Sequence, residues 1–385
     1  MRVWIENPFD GLPVEGHRPQ RYWLMAEAFA RAGHAVTLWT SDFSHATKLP
    51  RRLTQAGPDA FALRLVATRP YARNVSLARI RSHRAYARQW LADARRDADA
   101  HGRPDVIVVS LPPLATADAA RALKRLFGAR LVVDVMDAWP ETFARLLPRP
   151  LKVLSPLALL PLRRAAARAY RAADLVTGVC DAYGEIARAH GARDYARFYH
   201  GVVRPPHVAQ TAPTRRGERI SLVYAGTFGR GYDLMTAIRA VKAHDNLTLD
   251  IAGAGEREAE WRACADSSPR IRFHGYLDEA GLAQLLDASD IGIIPLADDT
   301  FVGLPYKLGD YARHGLRMVT SLHGECAALI SRHDAGAEYT PGDVASFDRA
   351  VRRAAAARAD FASLLDELDA ERIYAAYVAH VMRGL

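Results

Sequence analysis

Over roughly the first 200 residues, short β-branched runs alternate with longer stretches of helical periodicity. Val3–Ile5, Ala35–Thr40, Ala62–Ala67, Val106–Ser110, Leu131–Val135 and Leu175–Gly178 read as strands. Between them apolar positions return at helical spacing, as over Arg21–Ala32 and Thr116–Phe127. Gly33-His34 caps the first of these helices before a new strand begins. Periodicity lapses after Arg204, where Pro205, Pro206, Pro213 and Gly217 read as a linker. The alternation then restarts with Ile220–Tyr224, Leu247–Ala252, Ile271–Phe273, Ile291–Ile294, Arg317–Thr320 and Gly336–Tyr339. This predicts an α/β chain of two doubly wound parallel-sheet domains, 1–203 and 219–364, joined by a linker at 204–218. A last helix, about Phe361–Met382, is long enough for 365–385 to cross back to the first domain. Ligands of such sheets sit beyond strand C-termini, so a central cleft between the domains is expected.

A length of 385 residues agrees with two cores. The charge is uneven: residues 1–200 hold 31 Lys+Arg against 18 Asp+Glu, and the remainder 21 against 25. Arginine is dense over Arg64–Arg96 and Arg163–Arg171. Such a face suits an anionic membrane or phosphorylated substrates. Nucleic acid is not expected, because the arginines lack aromatic interleaving or a reader motif. Cys180, Cys264 and Cys326 show neither zinc nor disulfide spacing, which fits a reducing cytoplasm. The N-terminus runs into a strand and does not read as a signal peptide. The longest apolar-biased stretch, Leu151–Leu162, is too short to span a bilayer, which takes about 20 residues.

Candidate chemistry gathers at strand ends. After Ile291–Ile294, Gly303-Leu304-Pro305 bring a turn forward and a helix begins that carries Lys307 and Asp310 on one face. A cation for phosphate and a carboxylate for ribose suit a nucleotide, and a surface ion pair is the competing reading. Ile220–Tyr224 leads into Gly226, Thr227, Gly229, Arg230 and Gly231, where free amides and a guanidinium could meet phosphate. Gly253 and Gly255 end the next strand, so three glycine-bearing ends suggest a nucleotide clamp. In the first domain, Asp137 and Glu141 flank Trp139-Pro140. Asp137 is a candidate for sugar contact or proton transfer, and Glu141 for a helix N-terminal acid. In the loop Asn7–Arg18, Gly11 and Gly16 promise pliability, with His17, Arg18 and Arg21 near the next helix. HExxH, paired CxxC, GxSxG and P-loop motifs are all missing from the sequence, and no metal site is expected.

Together these segments resemble the retaining glycosyltransferases of family 4, which have the two-domain GT-B fold. The likeness rests on Arg21-Tyr22, Gly33 to Thr37, Asp134 to Glu141, His200-Gly201-Val202, Tyr224-Ala225-Gly226, Ile251 to Gly255, Phe273 to Tyr276, and Pro305 to Tyr311. Val302 stands where the family has its first motif glutamate, and Asp310 where it has the second. The resemblance implies a nucleotide-diphosphate sugar donor, UDP- or GDP-linked, without metal or further cofactor. It implies donor contacts at Gly226, Thr227, Gly253, Gly255, Tyr276, Leu304, Pro305 and Asp310, and catalytic roles for Asp137, Lys307 and Arg230. It is nearest to the enzymes of bacterial surface polysaccharides, with Tyr71, Arg73-Asn74 and Arg81 matching that subgroup. That implies a polyprenyl-diphosphate-linked or other glycan acceptor, met by Gly11, Gly16, Arg18, Arg21, Tyr71 and Arg81, at the inner-membrane surface. A non-hydrolysing UDP-sugar 2-epimerase and a non-catalytic sugar-nucleotide or glycan-binding scaffold are the alternatives.

Overall fold

The strands foreseen from the β-branched runs all form, and one more joins them. In the first half, β1 (Arg2–Glu6), β2 (Ala35–Ser41), β3 (Ala62–Val66), β4 (Val106–Leu111), β5 (Arg130–Val135), β6 (Leu175–Gly178) and β7 (Tyr195–Arg197) make one parallel sheet. Its order is β3-β2-β1-β4-β5-β6-β7. The addition is β7, a three-residue edge strand paired only with β6 and too short to show periodicity. The second half carries β8 (Ile220–Ala225), β9 (Leu247–Ala252), β10 (Ile271–Gly275), β11 (Ile291–Ile294), β12 (Arg317–Thr320) and β13 (Gly336–Glu338). These are parallel too, in the order β10-β9-β8-β11-β12-β13. Helices cover both faces of each sheet, so central strands such as β4 are continuous apolar runs buried along their whole length.

This structure is a computed structural model that describes residues 1–74, 76–146, 153, 155–204, 219–298 and 300–385. Two compact units result: 1–201 with 370–385, and 202–369. The expected linker lies, from residue 205 onward, outside the described residues. The long terminal helix is instead two, Phe361–Glu367 and Ala370–Val381, separated at Leu368-Asp369. The break is held by Val202, whose amide donates to the Leu368 carbonyl at 2.7 Å. Beyond it Ala370–Val381 packs on the helix Arg21–Arg31. Tyr377 is fully buried there, edge-on to Phe198 at 5.0 Å and Phe29 at 6.2 Å. Burial of one such ring contributes about 1.5–3 kcal/mol.

Each sheet has one point where the strand order reverses, between β1 and β4 and between β8 and β11. The loops leaving β8 and β11 therefore diverge at a crevice, the usual ligand position in such sheets. The first of those loops carries Gly226, and the second leads into the helix that carries Lys307.

Candidate active site

In the C-terminal unit the helix Tyr306–Arg313 is fixed to β11 by a ring. Tyr311 is buried against Gly292, where a Cβ would lie 2.3 Å from the ring, and its hydroxyl donates to the Ile293 carbonyl at 3.2 Å. Leu304 is buried in the preceding turn, and half-buried Pro305 occupies the N-cap. The helix so held delivers Lys307 to the end of β8. Gly226 has φ +150°, and a Cβ built on it would sit 2.5 Å from Lys307 Nζ. The ammonium thus occupies the room that the missing side chain leaves.

Two phenol rings complete the cradle. Lys307 Nζ lies 5.2 Å from the Tyr224 ring centroid and 5.0 Å from that of Tyr232. Tyr224 is fixed by its hydroxyl, which donates to the Thr227 carbonyl at 2.7 Å. Cation–π contacts of this kind contribute about 0.5–2 kcal/mol each. Among the described residues no carboxylate lies within ion-pair distance of Lys307, and Asp310, one helical turn on, is not its partner. Burial lowers the Lys307 pKa to about 8. A desolvated cation with no counter-charge suits an incoming anion.

The neighbouring glycines serve the protein's own backbone. A Cβ on Gly253 would stand 1.9 Å from the Gly226 carbonyl oxygen, and one on Gly255 2.6 Å from that of Phe228. The loops are joined by amides: Gly226 to the Ala252 carbonyl at 3.0 Å, Gly253 to Gly275 at 2.7 Å and Phe228 to Ala254 at 2.9 Å. Gly253 and Gly255 therefore let the neighbouring loops close on one another and hold the Gly226 turn in place. The Arg230 side chain is 86% exposed and faces Glu256 at 3.4 Å. Thr227 and Tyr276 are exposed, and Asp310 and Val302 half-buried.

Gly226→Ala puts a methyl group where the ammonium lies, at a φ that side chains rarely adopt. Anion affinity, read by calorimetric titration of inorganic pyrophosphate, should fall by at least about tenfold, the loss of one charge-assisted contact. Unchanged affinity would remove Lys307 from this role.

In the N-terminal unit Arg21 is corrected from acceptor contact to buried strut. It is 0% exposed and bidentate to Asp134, with Nε and Nη2 each at 2.8 Å. Its remaining nitrogen donates to the carbonyls of Phe198 and Tyr199. Tyr22 and Thr177 hydroxyls complete the carboxylate's shell at 2.9 and 2.6 Å. Burial would raise the Asp134 pKa, but Arg21 and these donors more than offset it and leave the carboxyl below its ordinary value.

The loop after β1 is braced by side chains. Arg51 pairs with Glu15 and donates to the Asp10 carbonyl, and the Asn7 side chain accepts from the amides of Phe9 and Asp10. Gly11 packs beneath the His17 ring, and Gly16 ends the turn Pro13–Glu15 with φ +85°. Arg18 is half-buried. Asp137 follows β5, half-buried, and accepts from the Trp139 indole at 3.1 Å. Glu141 opens the short helix Glu141–Leu146, as foreseen, and also meets His190 at 2.9 Å.

Tyr71 is buried, its hydroxyl 2.5 Å from His45 Nδ1. Arg81 points outward on the helix Leu77–His101. Inward stands Arg79, which the sequence reading passed over. Its guanidinium lies 5.1 Å from the Trp139 ring, 5.7 Å from Phe9 and 5.9 Å from Tyr71. The available signal was spacing, since Arg79 shares a helical stripe with His83, Tyr86 and Trp90, all buried. Among the described residues no cluster of three His, Cys, Asp or Glu could hold a metal ion.

These sites stand on a chain whose two halves match family models in turn. The model described as glycosyl transferase 4-like domain matches residues 19–199, and that described as glycosyl transferases group 1 matches 219–357. Together they take in most of both units. No curated protein matches the sequence. Among solved structures, sucrose-phosphate synthase from Thermosynechococcus elongatus aligns at TM-score 0.71 and 13% identity, over 99% of this chain and 98% of its own. HepE from Anabaena, in complex with UDP and glucose, aligns at 0.66 and 14% over all of both chains. WaaG, a glycosyltransferase of lipopolysaccharide biosynthesis, aligns at 0.63 and 13% over 99% of this chain and 100% of its own. At such identities the likeness establishes the shared two-sheet GT-B fold. With both halves matched in this order, the chain belongs to the family 4-like, group 1 glycosyltransferases.

Proposed function

We propose that the protein transfers a hexosyl or N-acetylhexosaminyl group from a nucleotide-diphosphate sugar to a lipid-linked glycan in surface-polysaccharide synthesis, with retention of configuration. The single observation carrying the donor half is the Lys307 ammonium lodged at Gly226 with no carboxylate beside it. There it neutralises the charge that develops on the departing diphosphate, an electrostatic role that needs no metal. Amides at Gly226 and Thr227 bind phosphate oxygens, and Asp310 takes the ribose hydroxyls. In the transfer the bond from the anomeric carbon to the diphosphate breaks, its electron pair leaving with the diphosphate oxygen. The acceptor oxygen bonds to the same face of that carbon and its proton passes to the diphosphate. Asp137 is the carboxylate assigned to the transferring sugar, a role that rests on the family resemblance. Because the HepE structure holds UDP, uridine donors are the first to test. In a thermal-shift screen of UDP- and GDP-sugars, the donor should raise the unfolding midpoint, and turnover with acceptor should follow. No shift with any nucleotide sugar would sink the donor reading.

The acceptor half is supported by one helix face. Leu77, Ile80, Arg81, Arg84 and Arg88 fall on a single stripe of Leu77–His101 and are all exposed, Leu77 at 70%. Apolar residues at the tip followed by arginines suit the anionic inner-membrane leaflet, at about 1 kcal/mol per basic residue. Among the described residues no helix is long and apolar enough to cross a membrane. Arg81, Arg84 and Arg88 changed together to Gln should reduce flotation with phosphatidylglycerol vesicles by about tenfold or more. Equal flotation of both proteins would remove this face from the account.

A further inference from the structure

The ladder between β8 and β11 stops short. Leu222 pairs with Ile291 and Val223 with Gly292, and among the described residues the register goes no further. Yet β8 runs on to Ala225 and β11 to Ile294. On their other sides both strands stay paired to their ends, Ala225 with Ala252 and Ile294 with Thr320. The sheet therefore splits along one line, where its strand order reverses.

Tyr311 stands in the split. Were the parallel register carried two residues further, Ala225 would lie opposite Ile294 and its amide would donate to the Ile293 carbonyl. The Tyr311 hydroxyl is interposed between those two groups. It accepts from the Ala225 amide at 3.4 Å and donates to the Ile293 carbonyl at 3.2 Å. One phenol oxygen thus replaces the direct ladder bond and satisfies both backbone groups with the strands held apart. The ring lies on Gly292, the last β11 residue of the ladder, where a Cβ would meet three ring carbons at 2.3 to 2.6 Å. A glycine inside a buried strand marks such a close approach. Burial pushes the phenol well above its ordinary pKa, so it keeps its proton at alkaline pH.

Beyond the split the two chain segments meet again. The Asp233 amide donates to the Pro295 carbonyl at 3.1 Å and the Ala297 amide to that of Gly231 at 3.0 Å, with Tyr232 opposite Leu296. The Lys307 ammonium reaches residues on both sides of this opening, Gly226 and Tyr224 at the end of β8 and Tyr232 in the far contact. Lys307 and Tyr311 lie four residues apart on the helix Tyr306–Arg313 and so share a face. The ring that parts the strands is carried by the helix that delivers the cation.

We propose that Tyr311 is a positioning residue, its phenol wedging β8 from β11 and so setting the gap in which the Lys307 ammonium meets the Gly226 turn. It acts through Lys307, and its bearing on sugar transfer rests on the donor reading above. Without the hydroxyl, the ring on Gly292 still keeps the ladder from closing, and the Ala225 amide and Ile293 carbonyl lose their shared partner. Water is then the partner left to them. Water beside the ammonium relieves the desolvation that lowers the Lys307 pKa.

The test is the titration of Lys307 itself in the ligand-free full chain, read from about pH 7 to 11 by competitive trace acetylation and mass spectrometry of its peptide. In the parent the midpoint should lie at about 8. In Tyr311→Phe it should rise by about one unit or more, towards the ordinary 10.5, and the pH at which calorimetric UDP affinity begins to fall should rise with it. Gly292→Ala keeps the hydroxyl and Lys307 but drives the ring off the strand, so it should shift the midpoint the same way and decides the matter if Tyr311→Phe does not fold. Phe347→Leu, a core change on the helix Val344–Ala356, should lower the melting midpoint and leave Lys307 titrating as in the parent. An ordinary midpoint in the parent, one unmoved by the Tyr311 and Gly292 changes, or one moved equally by Phe347→Leu overturns the proposal, whatever UDP does. A midpoint that moves as expected in a protein that binds no UDP leaves the wedge standing and fails the donor reading.

Discussion

Lys307→Met should cut sugar-nucleotide turnover by about 100- to 1000-fold, the usual cost of removing a positioned charge stabiliser. The same substitution should make the ligand-free protein more stable. The folded-state pKa of Lys307 is about 8, against an ordinary 10.5. Between those values the unfolded chain binds more protons than the native one, so stability rises with pH across that window. Below about pH 8 both states are charged and the full cost of the buried ammonium is present. Removing it should therefore raise the unfolding midpoint near neutral pH and change little above pH 10.5. Activity lost together with stability gained marks a group retained for its ligand, not for the fold. A variant with near-normal turnover would show that another group neutralises the leaving diphosphate.

Arg21→Met should destabilise the N-terminal unit by about 3–5 kcal/mol, because Asp134 is left charged and fully buried. Denaturant unfolding followed by tryptophan fluorescence reads this directly. Arg21→Met with Asp134→Leu should recover much of the loss, since neither charge then remains without a partner. A single variant as stable as the parent would mean that Arg21 is not the strut its geometry indicates.

How far the sequence disclosed these features depended on the range of the interaction. Strands such as β4 and β8 were legible because β-branched runs buried on both faces leave a continuous apolar signal. The edge strand β7 left none, and the break at Leu368-Asp369 is set by Val202, a partner remote in sequence. Lys307 and Gly226 were each singled out as nucleotide contacts, yet nothing in the chain says that one fills the other's missing side chain. At Gly253 and Gly255 the missing side chains also make room for the neighbouring loop's backbone, which no local pattern in the chain announces. Arg21 read as an acceptor contact through the family resemblance and its place after the Gly11–Gly16 loop; its partner, Asp134, lies on β5, remote in sequence. Arg81 drew notice as part of a motif, whereas helical phase, which sends Arg79 inward with His83, Tyr86 and Trp90, was the stronger physical signal.

The central claim is that the Lys307 ammonium at Gly226 anchors the donor's diphosphate. Its most direct test is the affinity for UDP measured by calorimetry from about pH 7.5 to 9.5, where the nucleotide's own terminal phosphate stays fully ionised. Bound diphosphate restores the ammonium's proton, so affinity should hold steady below about pH 8 and then fall towards tenfold for each further unit. In Lys307→Met the affinity should be weak and independent of pH over the same range. A wild-type affinity that stays flat to pH 9.5, or a variant that follows the same pH course, would contradict the account.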